Sequence, residues 1–547
     1  MATVTTRSWL SRHGQYHPRL IEAALAMNRN ALNVAEPLLK QHLKEDPFDV
    51  FAIRMLAELA GRIGRMRDAE NLLHRALELA PGFTAARSNL ALLLHRQNRP
   101  EESLAELDKV RLEEPDDLQH STLRAAVAGR IGEFDEALAL YETILARNDR
   151  HAPIWLSYGH TLKTVGKVDE GIAAYRKAIA TRPWFGEAWW SIANLKTAKL
   201  EPEDRAAMLA ALESPEASQD DRFHLHFALG KALDDAGEGG AAFAHYDAAN
   251  RLRREVLPYD AAETTAMVDR EINHFDAKFF ADRVGQGCDA PDPVFIIGMP
   301  RAGSTLIEQI LSCHSLVEGT MELPDIPAIV NRLANSTSGK GWIKTLAGFS
   351  AGQLRELGES YLQTTRIQRR EGKPLFIDKL PNNWLYVGLI HLILPNARII
   401  DARRHPLDCG YSNFRQHFAR GQAFSYDLAD IGRYYSDYVR LMAHIDRVLP
   451  RRIVRVVHEN LLDDPEREIR ALLDGLGLDF EEQCLDFSSS SRAVRTPSSE
   501  QVRRPINRSG EGQWRPVESH LGPLVQALGP VLEAYPAVPG SWQSGNA

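Results

Sequence analysis

Apolar residues in the first part of the chain recur three and four positions apart, as in AENLLHRALELA (residues 69–80) and DEALALYETILA (residues 135–146). This spacing places the apolar side chains on one face of an α-helix and the charged side chains on the other. Each segment is short, and a proline, glycine or asparagine separates it from the next. The pattern therefore predicts a succession of short amphipathic helices.

The helical segments repeat with a period of 34 residues, which is the spacing of Pro47, Pro81 and Pro115; Asp149 and Pro183 occupy the next two places. Two other positions of the repeat carry the same kind of residue in each copy. A turn position carries, in order, Asn30, Gly64, Asn98, Gly132 and Gly166. A helix position stays small, so that two helices can approach closely, at Ala35, Ala69, Ser103, Ala137 and Gly171. A fixed period of this length indicates a solenoid of stacked helical hairpins.

This repeat resembles the tetratricopeptide repeat. About five copies fit between residue 13 and about residue 200, and residues 223–254 resemble a further, out-of-phase copy that caps the array. The predicted repeat domain therefore covers residues 13–255. The resemblance implies an α-solenoid with a concave groove that binds a protein or peptide partner, while a role as a spacer or dimerisation surface stays open.

The pattern changes after residues 256–292, a predicted linker that ends in the Gly/Pro/Asp-rich stretch GQGCDAPDP (residues 285–293). Four strand-like runs, VFIIG, PLFIDK, ARIIDAR and RIVRVV, now alternate with helix-like segments. These segments begin at Ser304 or follow Pro381, Pro406 and Pro465. Such alternation predicts a parallel sheet flanked by helices, in which ligands bind beyond the carboxyl ends of the strands.

Composition narrows the possible functions. The 547 residues carry a net charge of -8, which argues against a general nucleic-acid or membrane-surface binder. Four scattered cysteines without a CxxC pair predict neither a zinc site nor a disulfide framework. The first residues lack the apolar core of a secretory signal, and no later stretch reaches the length of a membrane span. These features predict a cytoplasmic globular protein with no nucleic-acid partner.

The stretch VFIIGMPRAGSTLIEQIL (residues 294–311) passes from a strand to a helix through a glycine-containing turn. Such a turn aims backbone N–H groups and the positive end of a helix at one point, which suits a phosphate. A nucleoside-triphosphate loop would carry a lysine before its Ser/Thr, whereas here Arg301 enters the loop and no lysine is present. A kinase or ATPase is therefore disfavoured, while a nucleotide with a short phosphate tail stays open; an ordinary strand-to-helix turn is the alternative to any phosphate site.

The loop PRAGST resembles the 5'-phosphosulfate loop of sulfotransferases that use 3'-phosphoadenylyl sulfate (PAPS) as donor. Together with the repeats it resembles the bacterial tetratricopeptide-repeat sulfotransferases, and residues 293–536 are similar to the catalytic domain of protein-tyrosine sulfotransferase. The resemblance implies an α/β three-layer, P-loop-like domain. Ala302 stands in place of a usual serine. The residues implied to hold the phosphosulfate end of the donor are Pro300, Arg301, Ala302, Gly303, Ser304 and Thr305.

The resemblance also assigns three catalytic residues. Glu322, in HSLVEGTMELP, follows Arg301 at the same gap as the family's catalytic glutamate, and Glu318 is a local competitor. A carboxylate there would act as general base on the acceptor hydroxyl. Lys379, at the end of PLFIDK, is expected to neutralise the leaving oxygen, and Ser498, in TPSSEQVRRPIN, to stabilise the transition state.

The segment ARIIDARRHPLDCGYSNF resembles the family's 3'-phosphate site, with Arg404 at the arginine place and Ser412 on the helix that follows. The rigid fork of arginine suits phosphate, and the neighbouring Arg403 is an alternative. Gln416 replaces an arginine that is usual in the tyrosine-specific relatives, and Arg415 lies beside it.

The carboxyl-terminal loop TPSSEQVRRPINRSGEGQW resembles the family's last donor-binding segment. Gln513 stands where the tyrosine-specific enzymes carry a lysine, and Arg515 is expected to compensate. The donor contacts implied for this loop come from Gln501, Val502, Asn507 and Arg515.

The reaction implied is direct displacement at the sulfur of PAPS by an acceptor hydroxyl, for which no metal is required. A protein or peptide tyrosine is the leading acceptor, because the repeats offer a peptide-binding surface on the same chain. Pro324, however, stands where the tyrosine-specific enzymes carry an arginine that grips acidic peptides. A glycan, lipid or small-phenol acceptor, and a non-catalytic repeat scaffold with a nucleotide-binding domain, are the alternatives.

Overall fold

The chain forms two compact units. The computed structural model describes residues 17–97, 99–114, 117–195, 198–320, 322–336, 341–418, 421–489 and 505–543. Apart from the stretch Thr164–Gly166, the second unit begins at Tyr175.

The amino-terminal helices pack in successive pairs, as the repeat predicts. They are α1 (Pro18–Asn28), α2 (Leu32–Glu45), α3 (Val50–Arg62), α4 (Met66–Leu79), α5 (Thr84–Arg96), α6 (Pro100–Glu113), α7 (Leu118–Ile131), α8 (Phe134–Arg147), α9 (Ala152–Thr164) and α10 (Val168–Thr181).

The positions that define the repeat behave as predicted. The turn position adopts a positive φ of 57° to 89°, which asparagine and glycine tolerate best, in Asn30, Gly64, Gly132 and Gly166. The small position is buried at Ala35, Ala69, Ser103 and Ala137. At Gly171 an added Cβ would lie only 3.2 Å from the Gly159 carbonyl oxygen, so the helices there are in close contact. Asn98 and Pro115 lie outside the described residues. The predicted helical-repeat fold is confirmed.

The second unit begins with further helices. They are α11 (Gly186–Ala193), α12 (Pro202–Leu212), α13 (Gln219–Asp235), α14 (Gly239–Val256), α15 (Ala261–His274) and α16 (Ala277–Ala281). The predicted out-of-phase repeat at residues 223–254 corresponds to the hairpin α13–α14, whose turn residue Gly237 has a φ of 79°.

The hairpin α13–α14 lies in the same compact unit as the sheet, so the units do not divide at residue 255, where the sequence placed the boundary. The physical reason is that the hairpin is bonded directly to the chain around residues 414 and 415. The Asn250 side-chain amide donates to the Phe414 carbonyl oxygen at 2.8 Å, and Arg415 forms an ion pair with Asp234 at 2.7 Å. The predicted linker at residues 256–292 likewise contains α15 and α16 rather than irregular chain.

One parallel sheet forms the centre of the second unit. Its strands are β1 (Pro293–Gly298), β2 (Val317–Gly319), β3 (Leu375–Asp378), β4 (Arg398–Arg403) and β5 (Ile453–Val457), in the spatial order β2-β3-β1-β4-β5. Four of them were predicted; β2 is only three residues long and too short to give a pattern. Strands β1 and β3 are buried throughout, as expected for a parallel sheet with both faces covered.

The helices of the sheet domain follow the strands. They are α17 (Ser304–Ser312), α18 (Asp325–Ser336), α19 (Trp342–Ala347), α20 (Ala351–Thr365), α21 (Val387–Ile393), α22 (Pro406–Phe414), α23 (Leu428–Val448), α24 (His458–Asp463), α25 (Pro465–Gly475), α26 (Gly522–Leu528), α27 (Pro530–Ala534) and α28 (Gly540–Gln543). The predicted helix after Pro381 begins as a 3-10 turn, Pro381–Tyr386, before α21. None of the helices in the described part of the chain combines the length and the apolarity needed to cross a bilayer.

Candidate active site

The strand order brings three chain segments to one edge of the sheet. Strand β1 lies between β3 and β4, and all three run parallel, so their carboxyl ends meet at the same edge. The loop that contains Arg301 follows β1, Lys379 follows β3, and Arg404 follows β4. This is the edge at which parallel sheets bind ligands.

The loop between β1 and α17 has the backbone of an anion site. Arg301 and Gly303 adopt positive φ angles of 68° and 97°, and α17 begins directly afterwards at Ser304. Gly303 is required for a second reason, because an added Cβ would lie 2.7 Å from His458 Nδ1. The backbone N–H groups that point out of the first turn of a helix such as α17, and the positive end of the helix dipole, favour a negatively charged ligand.

Helix α22 is hydrogen-bonded to this loop. The Pro300 carbonyl oxygen accepts hydrogen bonds from Asn413 Nδ2 at 2.8 Å and from the Cys409 thiol at 3.3 Å. Arg301 Nε donates to the Ser412 hydroxyl at 3.1 Å. Pro300 and Ser412 therefore shape the loop, and Ala302 is buried within it, its N–H bonded to the Met299 carbonyl at 3.2 Å.

The loop lies in a cluster of positive charge. Burial, together with the nearby charges of Arg404 and Arg415, lowers the pKa of the Arg301 guanidinium to about 9. A cation whose pKa is lowered by burial and by neighbouring positive charges is stabilised by an anion placed beside it. The electrostatics of the site therefore match the backbone geometry of the loop.

Arg404, and not Arg403, faces this cluster. Arg404 Nη1 donates to the Arg301 carbonyl oxygen at 2.9 Å, and its Nη2 donates to the carbonyl oxygen of Gly510. Arg403 is buried elsewhere, where it pairs with Asp401 at 3.1 Å and lies 3.4 Å from the Tyr438 hydroxyl. Of the two arginines between which the sequence left the choice open, Arg404 is the one that lines the cavity in front of the loop.

An open cavity lies in front of the loop. Of the residues that sequence reasoning assigned to the donor, those that line this cavity are Arg301, Gly303, Ser304, Thr305, Arg404 and Asn507. Leu306, Leu462 and Ile506 add an apolar wall that the motifs did not indicate. The cavity thus combines a charged end with an apolar side.

His458 is a lining residue that sequence reasoning missed. Burial, and then the charge of Arg404, lower the pKa of His458 to about 3, so its ring is neutral at pH 7. It begins α24 at the carboxyl end of β5. The rule that ligands bind beyond the carboxyl ends of parallel strands would have found it.

Glu322 and Lys379 are brought together. Lys379 Nζ donates to Glu322 Oε1 at 2.5 Å; the lysine is buried, whereas the glutamate side chain is 46% exposed. Glu318, the competing carboxylate, is buried and accepts backbone hydrogen bonds from Glu371 at 2.7 Å and Gly372 at 3.2 Å. Glu318 therefore fixes a turn, while Glu322 is open to solvent and to a reactant.

The carboxyl-terminal segment is described from residue 505 onward, and Ser498, Gln501 and Val502 lie outside the described residues. Asn507 accepts a hydrogen bond from the Ser509 N–H at 3.1 Å and so shapes its own turn. Arg515 is not among the described residues that line the cavity, and its guanidinium lies 6.0 Å from the Trp514 ring centre.

Two basic residues of the tyrosine-specific pattern are replaced by glutamines that bond locally. Gln416 Nε2 donates to the His417 carbonyl at 2.9 Å, and Gln513 donates to the Ser509 carbonyl. Arg415, beside Gln416, is held by Asp234. Neither glutamine lines the cavity in the described part of the chain.

Comparison with known families identifies both halves. Residues 293–482 match the sulfotransferase family, and residues 62–127 and 122–183 match tetratricopeptide-repeat families. The chain therefore contains an amino-terminal part that matches tetratricopeptide-repeat families and a carboxyl-terminal part that matches the sulfotransferase family.

Two curated relatives are similar to parts of the chain. An uncharacterised protein of Aquifex aeolicus is 31% identical over 434 residues, which cover 78% of this chain and 56% of that protein. Protein-tyrosine sulfotransferase A of Caenorhabditis elegans is 23% identical over 235 residues, which cover 40% of this chain and 60% of that protein. The chain thus spans little more than half of the length of either relative.

Among solved structures, the sulfotransferase domain of the Synechococcus PCC 7002 olefin synthase is similar, with a TM-score of 0.32 and 22% identity. The match covers 42% of this chain and 88% of that domain.

Proposed function

We propose that the sheet domain transfers a sulfuryl group from PAPS to an acceptor hydroxyl, with Glu322 as the general base. The observation that carries this proposal is the contact of 2.5 Å between Glu322 and Lys379 at the sheet edge that also holds the anion loop. In a displacement reaction, a base can deprotonate the attacking hydroxyl, and a buried cation beside it can stabilise the leaving oxygen.

In this proposal the cavity holds a 3',5'-bisphosphorylated nucleoside. The loop residues Arg301, Ser304 and Thr305 and the start of α17 would hold the 5'-phosphosulfate, supported by the backbone of Pro300, Ala302 and Gly303. Arg404 and Ser412 would bind the 3'-phosphate. The apolar wall at Leu306 and Ile506 suits the base. Gln501, Val502, Asn507 and Arg515 are assigned to the donor from the motif, and Ser498 to the transition state.

The chemistry divides between two residues. Glu322 takes the proton of the acceptor hydroxyl as that oxygen forms its bond to sulfur. The bond between sulfur and the bridging phosphate oxygen breaks at the same time, and the bisphosphorylated adenosine leaves with the electron pair. Lys379 would neutralise the charge that develops on the leaving oxygen.

A tyrosine of a protein or peptide is the acceptor that we propose. Two observations support it: the repeats on the same chain are of a kind that binds peptides, and a relative of the sheet domain is named a protein-tyrosine sulfotransferase. A small phenol or a glycan accepted equally well would contradict this part of the proposal without affecting the transfer chemistry.

The experiment combines binding with turnover. We expect the full chain to bind 3',5'-adenosine bisphosphate in calorimetry and to lose most of that affinity in Arg301→Ala. Glu322→Gln should retain binding and lose sulfuryl transfer from labelled PAPS to tyrosine peptides by about 100-fold or more. Glu356→Gln, an exposed glutamate on α20, is the matched control and should behave as wild type. Absence of binding by the wild-type protein would overturn the proposal.

A further inference from the structure

The segment that carries Glu322 joins β2 to α18 and is tied to the neighbouring strand β3. Before the glutamate, the Thr320 hydroxyl donates to the carbonyl oxygen of Ile377 at 2.5 Å. After it, the backbone N–H of Leu323 hydrogen-bonds to the carboxyl group of Asp378, the last residue of β3. Both sides of the glutamate are therefore fixed to the strand that ends next to Lys379.

Asp378 is a fully buried carboxyl group that the displacement chemistry does not use. The Tyr361 hydroxyl, on helix α20, donates to Asp378 Oδ2 at 2.9 Å. The other oxygen, Oδ1, has no hydrogen-bond partner among the described residues. The strand end, helix α20 and the Glu322 segment thus meet at a single side chain.

The surroundings of this carboxyl group favour its protonated form. Burial raises the pKa of Asp378 well above its usual range, and the nearby carboxylate of Asp325 raises it further; Lys379, Tyr361 and Leu323 act in the opposite direction. An ionised Asp378 would attract Lys379 and compete with Glu322 for it. A neutral one leaves the charge of the lysine to Glu322 and to the leaving oxygen.

We propose that Asp378 is a positioning residue, which fastens the Glu322 segment to the end of β3 and is itself held by Tyr361. Its catalytic consequence rests on the proposed function. The mechanical consequence does not, because the contacts with Leu323 and Tyr361 exist without any substrate.

Three variants of the full chain separate the possible roles. Asp378→Asn keeps a neutral group of the same shape that can accept from Tyr361 and Leu323. Asp378→Leu keeps the apolar volume but removes the acceptor. Tyr361→Phe removes the anchoring hydroxyl, and its matched control is Tyr246→Phe, a buried tyrosine of α14 whose hydroxyl has no partner in the described part of the chain.

The first readout is hydrogen–deuterium exchange of peptides that contain Leu323. We expect exchange to rise about tenfold or more in Asp378→Leu and Tyr361→Phe, and to stay at the wild-type rate in Asp378→Asn and Tyr246→Phe. Peptides from β1 should not change in any variant. Wild-type exchange in Asp378→Leu, or equal losses in Asp378→Asn and Asp378→Leu, would overturn the proposal.

The second readout is the division between kcat and KM. Asp378→Leu should lower kcat at least tenfold, with KM for PAPS within about twofold of wild type, because a misplaced base affects the reaction and not donor binding. Asp378→Asn should restore kcat. A wild-type protein that binds the donor but transfers nothing would count against the proposed function alone, and the exchange experiment would still decide the role of Asp378.

Discussion

Arg404 donates a hydrogen bond from Nη1 to the backbone carbonyl oxygen of Arg301 at 2.9 Å, and its Nη2 reaches the carbonyl oxygen of Gly510. One guanidinium group therefore joins the end of β4, the anion loop after β1 and the carboxyl-terminal segment. Because two of its N–H groups hold backbone, Arg404 organises the walls of the cavity as well as adding charge to it.

Replacing Arg404 by lysine should weaken donor binding even though the positive charge is kept. A single ammonium group cannot hold two separate carbonyl oxygens with the fixed geometry of a guanidinium fork. Loss of one charge-assisted hydrogen bond corresponds to about 1.5 to 3 kcal/mol, or roughly 10- to 100-fold in the Kd for 3',5'-adenosine bisphosphate. Calorimetry checks this, with the exposed Arg467→Lys as control. A Kd within twofold of wild type would show that charge alone matters at this position.

Gly303→Ala should damage the anion loop for two reasons that can be separated. Its φ of 97° disfavours any side chain, and the new methyl group would collide with His458 Nδ1 at 2.7 Å. Gly372→Ala is the matched control, because Gly372 also has a positive φ, of 65°, but nothing lies within 4 Å of an added Cβ. We expect both variants to lose about 1 kcal/mol of stability from the backbone, and only Gly303→Ala to lose donor affinity. Equal affinities in the two variants would mean that the contact with His458 does not matter.

The repeat region and the strand-to-helix turn at Gly303 could be predicted from the sequence because each depends on local rules. A positive φ at Gly64 or Gly132 follows from a turn that recurs at a fixed period, and the turn at Gly303 follows from a strand that leads directly into a helix. Patterns of this kind need only a few neighbouring residues to be recognised.

What the sequence did not predict depends on residues that are distant along the chain. Asn250 of the hairpin α13–α14 bonds to Phe414, and this contact, which no local pattern contains, places the hairpin in the same unit as the sheet. The choice between Arg403 and Arg404 was open for the same reason, because Asp401 and Tyr438 bind the first and the Gly510 segment binds the second. The network of Asp378, Tyr361 and Leu323 also assembles only after the sheet forms.

The two neighbouring glutamates of the segment after α17 should respond oppositely to the same substitution. Glu318→Gln replaces a buried carboxylate that accepts from Glu371, Gly372 and Arg369, so we expect a loss of about 3 kcal/mol in the free energy of unfolding. Glu322→Gln changes a half-exposed side chain and should leave stability within about 0.5 kcal/mol of wild type while abolishing transfer. Denaturant unfolding followed by the transfer assay tests both. A stable but inactive Glu318→Gln would reverse the two assignments.

Glu271 of helix α15 provides a test of stability as a function of pH. It is fully buried, and neither carboxyl oxygen has a hydrogen-bond partner among the described residues. Burial raises the pKa of Glu271 well above its usual 4.5, with Arg270 opposing the shift. Above pH 4.5 the unfolded chain has released this proton and the folded chain keeps it. Stability is therefore lost as the pH rises, by up to about 1.4 kcal/mol per pH unit, until the folded pKa is reached.

Glu271→Gln replaces the titrating carboxyl group and therefore removes the pH dependence of stability that this group causes. We expect the variant to be more stable than wild type at pH 8, with a difference that shrinks toward zero near pH 5, as measured by denaturant unfolding at several pH values. Glu263→Gln, an exposed glutamate of the same helix, should show no such trend. A variant that is less stable than wild type at pH 8 would mean that the folded chain holds Glu271 ionised and stabilises its charge.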